Sequence, residues 1–268
     1  MKRNPLITLL SDFGLRDPYV AEMKAVILSI CPDVTIVDIC HEVNKYDIRT
    51  GAYMLARAAP FFPEGTIHVA VVDPEVGTKR RPIIITTGRH IYVGPDNGLL
   101  VLSAEKEGIG KVYEITNKNY MMKNISRTFH GRDIFSPAAA YLALGIPASN
   151  FGPEIYEINR PSFSQPKIHS QEVFGEVIHV DGFGNIVTNL SSEQLKHIGV
   201  REEQSLTVAL KNSKIRVKWS SSYSEVPVGN PLIIEGSSGF LEVAVNRGDA
   251  SKLLDAKAGD QIVFKLQK

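Results

Sequence analysis

Residues 6–40, LITLLSDFGLRDPYVAEMKAVILSICPDVTIVDIC, hold two β-branched runs, LITLLSD (6–12) and TIVDIC (35–40), separated by a helix-like segment. That succession is the pattern of a βαβ unit. The connecting helix is expected to begin with Asp17 as N-cap and Pro18 at its first position, where a missing N–H is harmless, and to carry YVAEMKAVILSIC. A third run, TIHVAVVD (66–73), follows a second helix expected over 49–62, RTGAYMLARAAPFF. The alternation predicts an α/β domain with a mostly parallel sheet. PIIITTG, RHIYVG and KVYEITN add strands, and RDIFSPAAAYLALG (132–145) reads as a helix ending at Gly145.

Past residue 155 the texture changes. Residues 1–155 form the α/β domain, 156–169 read as a Pro-rich polar linker, and 170–268 form a second domain. In the latter, EVFGEVIHVD, GNIVTNL, SLTVALK, SKIRVKW, PLIIEGS, GFLEVAVN and AGDQIVFKL are short strands at near-regular spacing. They predict a small β-barrel or sandwich.

The bulk numbers exclude several function classes. With 30 Lys and Arg against 29 Asp and Glu, the formal charge of +1 lacks the electrostatic footprint of a nucleic-acid binder. No apolar run approaches the ~20 residues of a membrane span, and the amino end lacks a signal-peptide pattern. A cytoplasmic protein is expected. Cys31 and Cys40 have no CxxC spacing and read as core thiols.

In an open parallel sheet, ligands gather at the carboxyl ends of the strands. Asp12 and Asp73 fall there. Asp12, facing the Gly14 turn, is placed to accept both hydroxyls of a ribose; Asp17 has helix capping as its plainer role. There is no GxGxxG and no GxxxxGK[ST], so a nucleoside without phosphates fits better than a nucleotide. Asp38, Cys40, His41 and Glu42 invite a metal reading, but alternate strand residues point to opposite faces and a zinc site needs three or four convergent ligands. His130 stands in RTFHGRD (127–133), just before a helix, and imidazole is the commonest general base. In HVDGFGNIVTNL (179–190), Phe183 and Asn185 read either as a tight turn or as a stacking face and bidentate edge for a purine. The serines of EGSSGFLEVAVN (235–246) read as a hairpin or as a grip for an amino-acid carboxylate, and Lys79, Arg80 and Arg81 read as a solvated turn.

Taken in order, SDFGLRD, VVDPEVG with Arg80, GPDNGLL, FHGRD, DGFGNIVTN and SSGFLEVAVN resemble the S-adenosylmethionine (SAM) hydrolases, also called SAM hydroxide adenosyltransferases, relatives of the SAM-dependent fluorinating and chlorinating enzymes. The resemblance spans nearly the whole chain. It implies a Rossmann-like α/β domain and a carboxyl-terminal β-barrel, assembled as a homotrimer with SAM between the first domain of one subunit and the second of its neighbour. It further implies hydrolysis of SAM to adenosine and methionine, with water or hydroxide held by Asp73, Arg80 and His130. Asp12 would hold the ribose hydroxyls, Tyr46 would pack beside the sugar, and Phe183 with Asn185 would meet the adenine. Asp17, Asp181, Ser237 and Ser238 would surround the methionine portion, and Phe129 and Asn246 complete the expected substrate-binding set.

No metal and no cofactor are expected, because the sulfonium carries its own positive charge, and His130, or bulk solvent through it, is the expected destination of the proton. The halogenating relatives carry a Tyr where this chain has Asp73, and a carboxylate there repels a halide. The fluorinating enzymes also carry an extra loop ahead of the GPDNGLL-like segment, for which IITTGRHIYVGPDN leaves no room. Two other classes remain open: a SAM- or adenosine-binding protein without turnover, and a metal-dependent phosphoesterase using Asp12, Asp38 and Asp73.

Overall fold

The structure, a computed structural model, describes residues 4–160 and 165–266; positions 161–164 of the expected linker lie outside the described residues. The chain divides into two compact units, Met1–Ser162 and Phe163–Lys268.

The first unit is built on a seven-stranded sheet. Its strands are β1 (Leu6–Ser11), β2 (Thr35–Cys40), β3 (Ile67–Val71), β4 (Pro82–Thr87), β5 (Ile91–Pro95), β6 (Ile109–Glu114) and β7 (Glu154–Ile155), in the order β2-β1-β3-β5-β4-β6-β7. β1 pairs in parallel with β2 and β3, and β3 with β5; β4 and β7 run against their neighbours, so five of the seven strands share one direction. The helices are α1 (Tyr19–Ile30), α2 (Ile48–Ala58), α3 (Val101–Glu107) and α4 (Ser136–Ala143). Alternation along β1 supplies both faces of the sheet. Ile7 and Leu9 join a core with Met23 and Ile27 of α1 and Ala138, Ala139 and Leu142 of α4, while Leu10 meets α2 beside Gly51. Gly51 lets the helix come close there: a Cβ would stand 2.8 Å from Leu99 Cδ1 and 3.1 Å from Val72 Cγ2, and those side chains would have to shift.

Three local expectations change. Pro18, not Asp17, occupies the N-cap of α1 and no side chain caps it; Asp17 lies exposed on the preceding loop. The segment 49–62 leaves α-helix at Ala58 and ends in a tighter turn, Ala59–Phe61, where Pro60 has no N–H to continue the ladder. The 132–145 helix begins with a π turn, Gly131–Phe135, in which Ser136 N–H reaches back five residues to the Gly131 carbonyl.

The second unit is a closed seven-stranded β-barrel. β9 (Glu172–Val180), β10 (Ile186–Thr188), β14 (Leu241–Val245), β13 (Pro231–Glu235), β12 (Ser213–Trp219), β11 (Ser205–Leu210) and β15 (Gln261–Leu266) follow one another round the ring, and β9 pairs with both β10 and β15 to close it. β8 (Lys167–His169) is added outside along β9. Leu206, Val208 and Leu210 alternate inward from β11 to meet Val177, Trp219, Ile233 and Phe264 in a second core. Two short helices stop the connections: α5 (Ser192–His197), begun by a Ser191–Gln194 capping box, and α6 (Ala250–Leu254), capped by Asp249 on Lys252 N.

Candidate active site

In the first unit the chain runs two residues past β3 to Asp73, turns through residues 74–79 and returns to Arg80 just ahead of β4. The turn is held by Val76 N–H on the Asp73 carbonyl, by Thr78 on Glu75, and by Gly77 at φ +79, a conformation that L side chains rarely adopt. Arg80 Nε donates to Asp73 Oδ1 at 3.2 Å and Arg80 Nη2 donates to Oδ2, while Nη2 also meets His130 Nδ1 at 3.1 Å. The guanidinium lies over the Phe135 ring, 5.4 Å from its centroid. The Arg80 and Asp73 side chains are only 2% and 4% exposed, so the pair is held away from water. Arg80 Nη1 is buried with no hydrogen-bond partner among the described residues. A buried donor without a partner is one that an oxygen ligand would satisfy.

The same contact fixes the state of His130. A guanidinium has donors only, so Nδ1 must present its lone pair and the ring proton sits on Nε2. Burial, and then the Arg80 charge, hold the imidazole below the ordinary histidine pKa against the opposite pull of Asp73 and Asp133. His130 is therefore a neutral Nε2–H donor. Its Nδ1, which faces Arg80, is thereby poorly placed to take a proton.

The loop before His130 is braced by Asp133. This buried carboxylate accepts Ser126 N–H and Arg132 Nε–H, each at 2.7 Å, and Arg132 goes on to Glu22 at 2.7 Å. Arg132 also lies over Phe129, whose ring meets Phe13 and Tyr19 edge-on at 5.6 and 5.2 Å. Phe129 is thus part of an aromatic cluster and the core.

Asp12 ends β1. Its Oδ2 accepts Tyr46 N–H at 2.9 Å, its carbonyl accepts Lys45 Nζ, and Oδ1 has no partner among the described residues. Tyr46 is 70% exposed and held at φ +66 to make that contact, a strained conformation of the kind found around ligands. The acidic cluster behind it is spent on support. Ser11 Oγ meets His41 Nδ1 at 2.7 Å, His41 Nε2 lies 3.1 Å from Asp38 Oδ1, Asp38 Oδ2 takes Lys24, and Glu42 accepts Leu15 N–H. Among the described residues no three His, Cys, Asp or Glu side chains converge as a metal ion would need.

Arg81 is not a turn charge, contrary to the reading of the basic run. Its partner Asp96 is buried in the PDNG segment, 15 residues away in the chain, and the two meet through Arg81 Nε at 3.0 Å.

In the barrel unit Asp181 organises the turn after β9. Its Oδ1 accepts Phe183 N–H and Asn185 N–H and its Oδ2 accepts Asn185 Nδ2, all at 2.9 Å. Phe183 is left 82% exposed and Asn185 buried. Both line a cavity of about 800 Å³ with Tyr223, Val226, Val228 and Asn246. Asn246 Nδ2 ties that wall together by donating to the Val226 carbonyl at 2.7 Å. Ser237 and Ser238 stand apart from this cavity on the β13–β14 hairpin, with Ser238 Oγ buried and without a partner among the described residues. Tyr223 to Val228 escaped the sequence reading because they lie in an unpatterned Ser-rich loop.

The SAM hydroxide adenosyltransferase N-terminal domain matches residues 7–152 and its C-terminal domain matches 175–263. The chain is similar to the (R)-S-adenosyl-L-methionine hydrolase of Thermus thermophilus, 39% identical with 94% of this chain and 96% of that protein covered. It is similar to that of Methanocaldococcus jannaschii at 36%, covering 96% and 94%. A fluorinase of Nocardia brasiliensis is 28% identical, over 98% of both chains. An uncharacterized conserved protein from Thermotoga maritima superposes with a TM-score of 0.93 at 38% identity, over 97% of this chain and 100% of that one. The chain belongs to the SAM hydroxide adenosyltransferase family.

Proposed function

We propose that the protein is an S-adenosyl-L-methionine hydrolase, forming adenosine and L-methionine by in-line attack of water or hydroxide on ribose C5′. The observation that carries this reading is the buried Asp73–Arg80–His130 contact with Arg80 Nη1 left over as a donor. Hydrolase relatives at 36–39% identity support it.

In the reaction a C5′–O bond forms as the C5′–S bond breaks. The sulfur takes the electron pair and leaves as a neutral thioether, and one proton is released. Arg80 Nη1–H and His130 Nε2–H would both donate to the attacking oxygen, and two donors at one oxygen favour hydroxide over water. Asp73 would accept its remaining O–H, which aims a lone pair at C5′. With His130 already protonated on Nε2, solvent takes the proton. Positive charge is supplied by the substrate, so no metal or cofactor enters this scheme.

Asp12 would hold the ribose diol with Tyr46 beside the sugar, and Phe183, Asn185 and Asn246 would take the adenine. Asp17, Ser237 and Ser238 would face the methionine portion, while Asp181 would act through the turn it organises. The quaternary state that goes with the reading is a cytoplasmic homotrimer with substrate sites at the subunit interfaces.

Incubation of purified protein with SAM, followed by chromatography, should give adenosine and methionine in equal amounts, undiminished by a chelator. Bound SAM recovered intact would instead identify a binding protein.

A further inference from the structure

We infer that Asp96 and Arg81 form a positioning pair that holds Arg80 in reach of Asp73 and His130, an inference that rests on the hydrolytic reading above. Arg80 and Arg81 are consecutive at the entry to β4, and successive side chains of an extended chain leave on opposite faces. Fixing Arg81 therefore fixes the direction in which Arg80 departs.

Arg81 is fixed from several sides. Its Nε and Nη2 lie 3.0 and 2.5 Å from Asp96 Oδ2, and Nη2 also donates to the Glu157 carbonyl at 2.7 Å. The Arg81 carbonyl accepts Asp96 N–H at 2.9 Å, one rung beyond the Pro82–Pro95 pair of the β4–β5 ladder. Two donors of one planar guanidinium on one oxygen set its plane as well as its distance.

Asp96 is itself immobilised. It is 1% exposed; Oδ1 accepts Asn159 N–H at 2.8 Å and its carbonyl accepts Asn159 Nδ2 at 2.7 Å. None of these bonds touches Asp73, His130 or the spare Nη1 of Arg80. A buried carboxylate so heavily held, whose partner Arg81 adjoins a proposed catalytic arginine, has positioning as its remaining role.

The test uses the full-length protein carrying Asp96→Asn or Arg81→Gln, each of which keeps side-chain bulk. In the absence of substrate, the His130 ring is titrated by NMR. The groups that face it are Arg80, Asp73 and Asp133. Once Arg80 drifts, its downward push on the imidazole is lost while both acids remain, and the titration is expected to move upward. In turnover assays kcat is expected to fall about 10- to 100-fold, the scale of a small misplacement, with KM for SAM little changed. Folded variants with an unmoved His130 titration and unchanged kcat would overturn the inference. So would failure of both variants to fold, which would make the pair a fold element. If the wild-type protein forms no adenosine, the hydrolytic reading fails, and the substrate-free titration still decides whether the pair positions Arg80.

Discussion

Gly77, at φ +79, lies against the backbone of Arg127, so closely that a Cβ on Gly77 would overlap the Arg127 carbonyl oxygen. This contact seats the Asp73–Arg80 turn on the segment that leads to His130. It is the local reason why two side chains 50 residues apart meet at 3.1 Å. Gly77→Ala combines a disfavoured φ with a backbone collision, and is expected to cost about 1–3 kcal/mol of stability. Urea unfolding checks that loss, and adenosine formation should fall further than stability alone explains, because the turn and the histidine are pushed apart together.

Asp73→Asn keeps the shape of the side chain but leaves the Arg80 charge buried without its counter-ion. Loss of one electrostatic partner at a reacting centre is expected to lower kcat by about 10²–10³. KM for SAM should change little, since the residue meets the nucleophile. A comparable loss in binding, measured by calorimetry, would remove Asp73 from that role.

His130 is held below the ordinary histidine range by burial and by Arg80. Its ring therefore stays neutral where a free histidine begins to charge, and kcat is expected to show no inflection near the ordinary value of ~6.5. The decline with acid should come only at lower pH, as Nδ1 is protonated and repels the guanidinium. A pH–rate profile, read beside an NMR titration of the ring, checks both halves.

Phe183→Ala and Asn185→Ala should weaken adenosine binding, the first by about 1–3 kcal/mol if the ring stacks on the base. Asp181→Ala should weaken it as well without touching the ligand, because both oxygens of Asp181 are spent holding Phe183 and Asn185 in place. Titration calorimetry with adenosine separates these from any effect on kcat.

The opposite side of the first unit carries a titratable burden of its own. His68 is fully buried, with Nδ1 on Thr8 Oγ1 at 2.7 Å and the His90 ring 4.8 Å away, and burial followed by the His90 charge lowers its pKa to about 3. Between pH ~6.5 and about 3 the unfolded chain binds a proton that the folded chain refuses. Stability should therefore fall with acid across that window, by about 1.4 kcal/mol per pH unit at full effect. His68→Gln should flatten the slope of unfolding free energy against pH by about one proton.

Much of the fold was legible because it rests on alternation. The seven barrel strands stand where their runs predict, and SLTVAL shows why: Leu206, Val208 and Leu210 take every second place and turn inward. α3, α5 and α6, with seven, six and five residues, are too short for a 3.6-residue period to show. Arg81 was misread for a different reason. Arg80 and Arg81 look alike in residue pattern, yet one pairs with Asp73 and the other with Asp96, and pattern alone holds no sign of which carboxylate each will meet. Which ring nitrogen of His130 carries the proton is likewise set by a contact, and composition holds no trace of it.

The π turn Gly131–Phe135 has a consequence of its own. It runs directly into α4 and holds one residue more than a regular turn would, so the chain before it is out of phase with the chain after it by one position, about 100° around the axis. Deleting a single residue there would restore a regular helix and carry the imidazole around the axis, away from the guanidinium. The reading frame of a helix, as much as the identity of a ring, decides which side chain Arg80 meets.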